Sequence, residues 1–157
     1  MAKQRLHRKS PAFDYTPGQS IGYLVRDSFR AFTRSLQARI ARRGVTAGQW
    51  YFLRVLWEED GLTQRELSQR VGMMEPTTVT ALNSMEKSKL IRRVRNVDDR
   101  RKVNIHLTAK GRRLKDELLP DAAEVNALAA DGVSARDIAT VRRVLNRIKQ
   151  NLAADQE

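Results

Sequence analysis

The spacing of apolar and polar positions along this chain predicts six helices. Between Gln19 and Arg43, apolar residues recur at steps of three and four, which places them on one face of a helix. The same criteria predict helices over about 47–59, 64–71, 75–89, 109–130 and 135–153. The expected N-caps are hydroxyl side chains: Ser20, Thr46, Thr63, Thr108 and Ser134.

A hairpin is predicted between the fourth and fifth helices. Strands near Ile91–Arg95 and Lys102–Leu107 are rich in β-branched residues, and the run Asn96-Val97-Asp98-Asp99 makes the turn. Short helices followed by a basic hairpin have the layout of a winged helix-turn-helix. The predicted fold class is therefore mainly α: six helices with a two- or three-stranded wing, and long terminal helices in a separate layer.

The domain organisation follows from this order. At 157 residues the chain is most simply one domain. Residues 1–17 are basic and punctuated by prolines, so we expect a flexible N-terminal arm. Residues 45–108 form the predicted winged lobe, and residues 18–44 and 109–157 form the helical layer.

The charge narrows the class of partner. Thirty Lys and Arg oppose 18 Asp and Glu, a formal net charge of +12, which favours a polyanion such as DNA, RNA or a membrane surface. No apolar run is long enough to span a bilayer, no secretory signal is visible, and cytoplasmic location is the default expectation. The chain has no cysteine, which excludes disulfides and thiolate chemistry.

The fourth helix has a polar face suited to a DNA groove. On a helical wheel, Val79, Leu82, Met85 and Glu75 fall on one side, and the opposite side carries short polar residues: Thr77, Thr80, Ser84 and Lys87, with Asn83 at its flank. Hydroxyls and amides can approach base edges and phosphates closely. The alternative is an ordinary solvated face.

The hairpin tip is the second candidate DNA contact. It carries Asp98, Asp99, Arg100, Arg101 and Lys102. An arginine on a narrow wing can enter a minor groove, and a neighbouring carboxylate can hold it in one rotamer. Arg92, Arg93 and Arg95 would face phosphates or the sheet surface. The alternative is a solvated charged turn.

These motifs resemble those of the MarR family of regulators. The run Asp98-Asp99-Arg100-Arg101, followed by Leu107-Thr108-Ala109-Lys110-Gly111, resembles the family's wing signature. Residues 62–67, 78–82 and 90–93 look like its first motif helix, its recognition helix and its first wing strand. The resemblance covers about residues 18–152. One departure is Lys89, where the family commonly has glycine. Glycine suits a left-handed helix cap, and a lysine in that conformation costs on the order of 1 kcal/mol.

The resemblance implies a homodimer with intertwined terminal helices that binds double-stranded DNA at a pseudo-palindromic operator, usually as a repressor. Two recognition helices would then lie about 34 Å apart. The residues expected to contact DNA are Thr63, Gln64, Thr77, Thr80, Asn83, Ser84, Lys87, Arg93, Arg95, Asp98, Arg100, Arg101 and Lys102. The expected dimer interface comprises Ile21, Val25, Ile138, Val141, Leu145, Ile148 and Leu152. The alternative is that these apolar stripes pack within one chain.

A small-molecule effector is a further expectation. Many members of the family release DNA when a small aromatic acid binds between the two layers. Candidate pocket residues are Tyr23, Phe29, Arg30, Trp50, Tyr51 and Arg54, whose rings and guanidinium groups suit an aromatic carboxylate or its thioester. For each of them, a core or surface role is the alternative. Arg5, His7 and Arg8 of the arm could grip a phosphate-bearing ligand or DNA.

Other classes of function have less support. Peroxide sensing through cysteine is excluded, and only His7 and His106 are available as histidine ligands, so no metal or cofactor is expected. No nucleophile and base stand in a catalytic pattern, so we expect no enzyme. Two alternatives stay open: a winged-helix module that binds an acidic protein, and a nonspecific nucleoid-binding or RNA-binding protein. The operator, the regulated genes, the effector and the sign of regulation cannot be read from the sequence.

Overall fold

A computed structural model describes Thr16 and residues 18–155 of the protein, and the predicted order of elements is confirmed over that part of the chain. The elements are α1 (Ile21–Ile40), α2 (Ala47–Glu58), α3 (Gln64–Val71), α4 (Glu75–Lys87), β1 (Ile91–Arg95), β2 (Val103–Leu107), α5 (Ala109–Ala129) and α6 (Ala135–Ala153). The last turn of the first predicted helix is a 3-10 turn, Ala41–Arg43. The helix α5 continues through Pro120.

All five predicted N-caps are confirmed. Ser20, Thr46, Thr63, Thr108 and Ser134 each accept a hydrogen bond from a backbone N–H in the first turn of the following helix. Two of them form capping boxes, in which the side chain three residues later accepts a bond from the cap's own N–H. The helix α4 has no side-chain cap and begins instead with proline in its first turn.

The core lies where α2 meets the helix-turn-helix and the hairpin. Its completely buried side chains come from nearly every element around α2, and the largest are Phe52, Ile40, Leu53, Leu56, Leu67, Leu82, Met85, Leu90, Ile91, Ile105 and Leu118. Because one continuous cluster joins α1, α2, α4, the hairpin and α5, the position of the wing relative to α4 is fixed by packing.

The corner between α3 and α4 is held by a buried hydroxyl pair. The Thr78 hydroxyl lies 3.1 Å from the Ser68 hydroxyl, which donates to the Met73 carbonyl at 2.7 Å. The predicted wheel for α4 is wrong at its margin, since Thr78 is buried, whereas Val79 is 37% exposed and Glu75 is exposed. The buried stripe is rotated because Ser68 offers this threonine a polar partner inside the core.

The wing is a two-stranded antiparallel sheet. Ile91 pairs with Leu107 at its base and Arg95 pairs with Val103 near its tip. A single bridge between Thr63 and Asn104 adds one residue of a third strand, which fits the predicted two- or three-stranded wing.

Asp60 joins three elements next to the wing. Its carboxylate accepts hydrogen bonds from the Leu107 N–H of β2 at 2.8 Å and from the Arg112 guanidinium of α5 at 2.8 Å. On the other side of the molecule, Arg39 of α1 donates to Glu124 of α5 at 3.0 Å. The start of α5 is thus tied to the winged lobe, and its second half is tied to α1.

Two backbone positions around the base of β1 are sterically demanding. Lys89 is the one residue other than glycine with positive φ in the part of the chain that the structure describes, at 59°. Gly111 of α5 lies against the carbonyl of Leu90, where an added Cβ would overlap the oxygen. The Gly111 carbonyl also accepts a bond from the Trp57 indole at 2.9 Å.

The helix α6 and the first half of α1 leave apolar faces exposed. The helix α6 has no buried residue, and α1 buries only Leu36 and Ile40 near its end. Of the described residues, no helix is both long and apolar enough to cross a membrane.

Candidate nucleic-acid interface

The outward face of α4 presents most of the polar groups that the sequence predicted. Thr77, Thr80, Asn83 and Lys87 are exposed. The Thr80 hydroxyl donates to the Pro76 carbonyl at 3.1 Å, so its lone pairs point away from the helix backbone and can accept a hydrogen bond.

Ser84 is exposed but is bonded to the neighbouring helix. Its hydroxyl accepts a hydrogen bond from the amide of Gln49, which is 4% exposed, at 2.9 Å. This bond leaves the hydroxyl hydrogen as the group that Ser84 can offer to a ligand.

Arg93 is bonded to α4. One terminal nitrogen donates to the Glu86 carboxylate at 2.6 Å and the other donates to the Asn83 side-chain oxygen at 2.8 Å. Two predicted DNA contacts, Arg93 and Asn83, therefore contact each other. No local pattern indicates this pairing, because ten residues separate Asn83 from Arg93.

The wing tip is ordered by side-chain bonds to its own backbone. The Asn96 side-chain oxygen accepts bonds from the N–H groups of Asp98 and Asp99, both at 2.9 Å. Asp99 then accepts from the guanidinium of Arg101 at 3.1 Å, and this bond holds the pKa of the Asp99 carboxyl below its ordinary value. Among the described residues, Arg100 makes no hydrogen bond or ion pair, so its side chain is available to a ligand.

A groove of about 560 Å³ lies between the tip end of the wing and the starts of α3 and α4. It brings together four predicted DNA contacts from two distant parts of the sequence: Thr63, Gln64, Arg101 and Lys102. Arg65 also lines the groove and was not predicted. The Thr63 hydroxyl donates to Glu66 at 2.7 Å, and this bond lowers the pKa of the Glu66 carboxyl.

A second cavity, of about 440 Å³, lies between the two layers. Its walls include three predicted ligand residues, Trp50, Tyr51 and Arg54, and residues from α1, α2, α3 and α5: Phe32, Thr33, Leu36, Val55, Arg70, Val71, Ala122, Val125 and Asn126. The guanidinium of Arg54 lies 5.5 Å from the centre of the Trp50 ring. The cavity therefore has aromatic and aliphatic walls with two arginines at its edge.

The other three predicted ligand residues do not line this cavity. Phe29 stacks on Tyr51, which lines the cavity, with ring centres 6.1 Å apart, but does not line the cavity itself. Arg30 is 3.7 Å from Asp27, and the Tyr23 ring is covered by Arg26 at 4.9 Å. These residues lie before Phe32, toward the exposed start of α1. Arg70 and Asn126 were missed because they come from distant segments with no aromatic neighbour in the sequence.

The predicted dimer residues are placed on open surface. Ile21 and Val25 on α1 are 45% and 44% exposed, and on α6 Val141 is 50%, Leu145 40% and Leu152 59% exposed. Ile138 and Ile148 are half-buried. Within one chain the exposed members of these stripes are not covered by the described residues, and the dimer interface stays a prediction.

Two further predictions concern the N-terminal arm and metal sites. Arg5, His7 and Arg8 of the arm lie outside the described residues. His106 lies on β2 with one ring nitrogen 3.9 Å from the Asp60 carboxylate. Over Thr16 and residues 18–155, no group of three or more His, Cys, Asp or Glu is placed to hold a metal ion.

The chain is similar to known transcriptional regulators. The model of the MarR family matches residues 45–103. The regulator TtmR of Methylorubrum extorquens is 36% identical over 96 residues, which cover 61% of this chain and 49%, about half, of TtmR. The structure of the transcriptional regulator PA3341 is 32% identical and has a TM-score of 0.76, with 86% of this chain and 99% of that chain covered. The structure of a MarR-family regulator from Listeria monocytogenes, solved with a 26mer DNA, has a TM-score of 0.79 at 23% identity. The match covers 87% of this chain and 91% of the Listeria chain.

Proposed function

The chain belongs to the MarR family of winged-helix transcriptional regulators, and from this premise we propose that it is a homodimeric repressor of a pseudo-palindromic operator, released by a small aromatic acid or its thioester. The family's relatives are regulators rather than enzymes, so the chemistry to explain is recognition. We assign DNA binding to residues 45–108 and dimerisation to residues 18–44 and 109–157.

The observation that carries this proposal is the groove where the wing meets the helix-turn-helix. Arg101 and Lys102 of the wing line it together with Gln64 at the start of α3 and Glu75 at the start of α4. A basic wing beside an exposed polar helix supports a mode in which α4 enters a major groove while Arg100 reaches the adjacent minor groove. The Listeria regulator, which shares the fold, was solved with DNA.

Dimerisation is supported by the exposed apolar faces. A helix such as α6, with regularly spaced valine and leucine and no buried residue, is stabilised in water only if its apolar face is covered. A second copy of the chain would cover it, and two-fold symmetry would then set the two α4 helices about one DNA turn apart, roughly 34 Å.

Effector binding is supported by the cavity between the layers. Its volume of about 440 Å³ and its aromatic walls are sufficient for a single-ring acid, and Arg54 and Arg70 can neutralise a carboxylate. Because the cavity is bordered by α1, α2 and α5, a bound acid would change the contact between the dimer layer and the DNA lobe.

Sequence-specific operator binding is tested by fluorescence anisotropy. Labelled DNA from upstream of the protein's own gene is compared with a scrambled duplex at several salt concentrations. We expect tight, sequence-dependent binding that weakens steeply with salt. Equal binding to both duplexes would favour a nonspecific nucleoid-binding protein, and no binding to either would favour a protein-interaction module.

The dimer is tested with a matched pair of variants on α6. Leu145→Asp places a charge in the exposed apolar stripe, and we expect monomers by sedimentation and loss of operator binding. Thr140→Asp adds the same charge to the opposite side of the helix and should leave the dimer intact. A dimeric Leu145→Asp protein would show that the interface lies elsewhere.

The effector is tested in the same anisotropy assay with aromatic acids and their thioesters. We expect Arg54→Met to reduce the release of DNA by the acid while leaving DNA affinity without acid unchanged. Arg30→Met removes the same charge outside the cavity and serves as the control. If both variants respond to the acid as the natural protein does, the cavity is not the effector site.

A further inference from the structure

Arg93 is placed by the register of the wing so that it reaches the recognition helix. Successive side chains of a strand alternate between its faces, so Arg93 lies on the same face of β1 as Ile91, which is buried against the helices. Its two terminal nitrogens bond to Glu86 and Asn83, which stand three residues apart on one side of α4. The guanidinium thus contacts two residues of α4 at once.

The contact determines which way the Asn83 amide faces. A guanidinium can only donate hydrogen bonds, so the amide atom 2.8 Å from Arg93 must be the oxygen. The amide nitrogen then lies on the side away from Arg93. Asn83 is exposed, and among the described residues no acceptor is bonded to that nitrogen. The side chain therefore presents two free N–H donors, whereas one of the two lone pairs of its oxygen is already engaged.

We propose that Arg93 is a positioning residue that presents Asn83 to DNA as a hydrogen-bond donor and so limits the bases that Asn83 selects. This inference rests on the proposed DNA-binding function. A free asparagine reads adenine by using both amide atoms at once, donating to N7 and accepting from N6. With one lone pair of its oxygen bonded to Arg93, the Asn83 amide is held in one orientation, and turning both of its atoms to adenine is disfavoured. Asn83 favours base edges rich in acceptors, guanine N7 and O6 or thymine O4, and it disfavours cytosine, whose N4 is a donor.

Glu86 has a separate electrostatic role in this arrangement. It is a carboxylate on the side of α4 that would approach phosphates, and Arg93 pairs with it at 2.6 Å. Without Arg93 the carboxylate would repel DNA of every sequence. Loss of Arg93 therefore has two effects, a uniform loss of affinity through Glu86 and a change of base preference through Asn83, and the two can be separated.

The test is selection from a random duplex library by the full chain, followed by affinity measurements on single-base variants of the selected site. The informative protein is the double variant Glu86→Gln/Arg93→Met, which has the natural net charge but lacks the bond to Asn83. Glu86→Gln alone keeps that bond and is the control. Asn83→Ala identifies which base pair Asn83 reads, because only there should its preference disappear.

We expect the natural protein and Glu86→Gln to prefer guanine or thymine over adenine at that base pair by about fivefold to tenfold, the scale of one specific contact. In the double variant the amide is free to turn, so adenine should become equal or preferred. In an Asn83→Ala background, replacing Arg93 should not change base preference at all, a result that a purely structural role for Arg93 would not give. Thermal melting confirms that each variant is folded.

The outcomes distinguish this inference from the proposed function. If the natural protein selects no sequence, operator recognition itself fails. If it selects a site but the double variant shows the same base preference as the natural protein, Arg93 does not position Asn83. Adenine preferred by the natural protein at the Asn83 position would likewise overturn the inference.

Discussion

Replacing Lys89 by glycine should stabilise the protein. Lys89 holds φ at 59°, in the left-handed region that costs an L-residue roughly 1 to 2 kcal/mol. Glycine avoids that cost but loses roughly 0.5 to 1 kcal/mol more conformational entropy on folding. The midpoints of these two ranges differ by about 0.75 kcal/mol, which is the net stabilisation that we expect. No bond is lost, because Lys89 bonds here through its backbone, donating to the Glu86 carbonyl and accepting from the Thr108 hydroxyl.

The effect is large enough to measure by thermal melting. An entropy of unfolding of about 2.1 cal/mol/K per residue, over a chain of 157 residues, makes 1 kcal/mol equal to roughly 3 °C in Tm. We therefore expect Lys89→Gly to melt about 1.5 to 3 °C above the natural protein at the same protein concentration, since association would make Tm depend on concentration.

Three controls separate backbone strain from other causes. Ser88→Gly changes the preceding residue, whose φ of −78° is ordinary, and should lower Tm. Lys89→Gln removes the charge but keeps a side chain at positive φ, so it should not reproduce the gain. Gly72→Ala reverses the experiment at φ 72°, where no atom lies near an added Cβ, and should cost about 1 kcal/mol. A glycine variant that melts at or below the natural Tm would refute the reasoning.

Three further changes have definite expected outcomes. Gly111→Ala forces a methyl group against the Leu90 carbonyl and should destabilise the fold by about 2 kcal/mol or more, measured by urea unfolding; an unchanged midpoint would show that α5 can move away. Arg100→Ala should weaken operator binding at unchanged Tm, and equal affinity would remove the wing tip from the mechanism. The hydrogen bonds from Thr63 lower the pKa of Glu66 below its ordinary 4.5. The contribution of this cap to the free energy of unfolding should therefore be complete above pH 4.5 and be lost as the pH falls through the lower pKa of the folded protein. An NMR titration that gives the Glu66 carboxyl a pKa at or above 4.5 would contradict this.

The sequence predicted the elements well because their signals are local. Ser20 and Ser134 stand next to the helices that they cap, and the β-branched residues of the hairpin alternate over short runs. The strain at Lys89 has a local sign too, since similar proteins commonly have glycine at this position, and the structure keeps the left-handed conformation there. Each of these features is determined by a few neighbouring residues.

The site was predicted less completely because its geometry depends on contacts between distant segments. Nothing in the local pattern shows that Arg93 bonds to Asn83, or that Arg70 and Asn126 line the cavity with Trp50. The rotation of α4 that buries Thr78 has the same origin, since its partner lies on the preceding helix. Composition identified the kinds of side chain involved, and tertiary packing determined which of them meet.

Attachments along α5 determine how a movement of α1 reaches the winged lobe. Asp60 fixes Arg112, near the start of the helix, to the lobe that carries the wing. Arg39 fixes Glu124, in the second half, to α1. Between them lies Pro120, which donates no backbone hydrogen bond. Arg43 bridges that turn by pairing with Glu117 at 3.3 Å and with Asp121 at 2.9 Å. A shift of α1 would therefore reach both halves of α5 and, through Asp60, the winged lobe. In the proposed dimer, such a shift would alter the distance and angle between the two lobes, while the continuous core of each lobe keeps its reading surface unchanged.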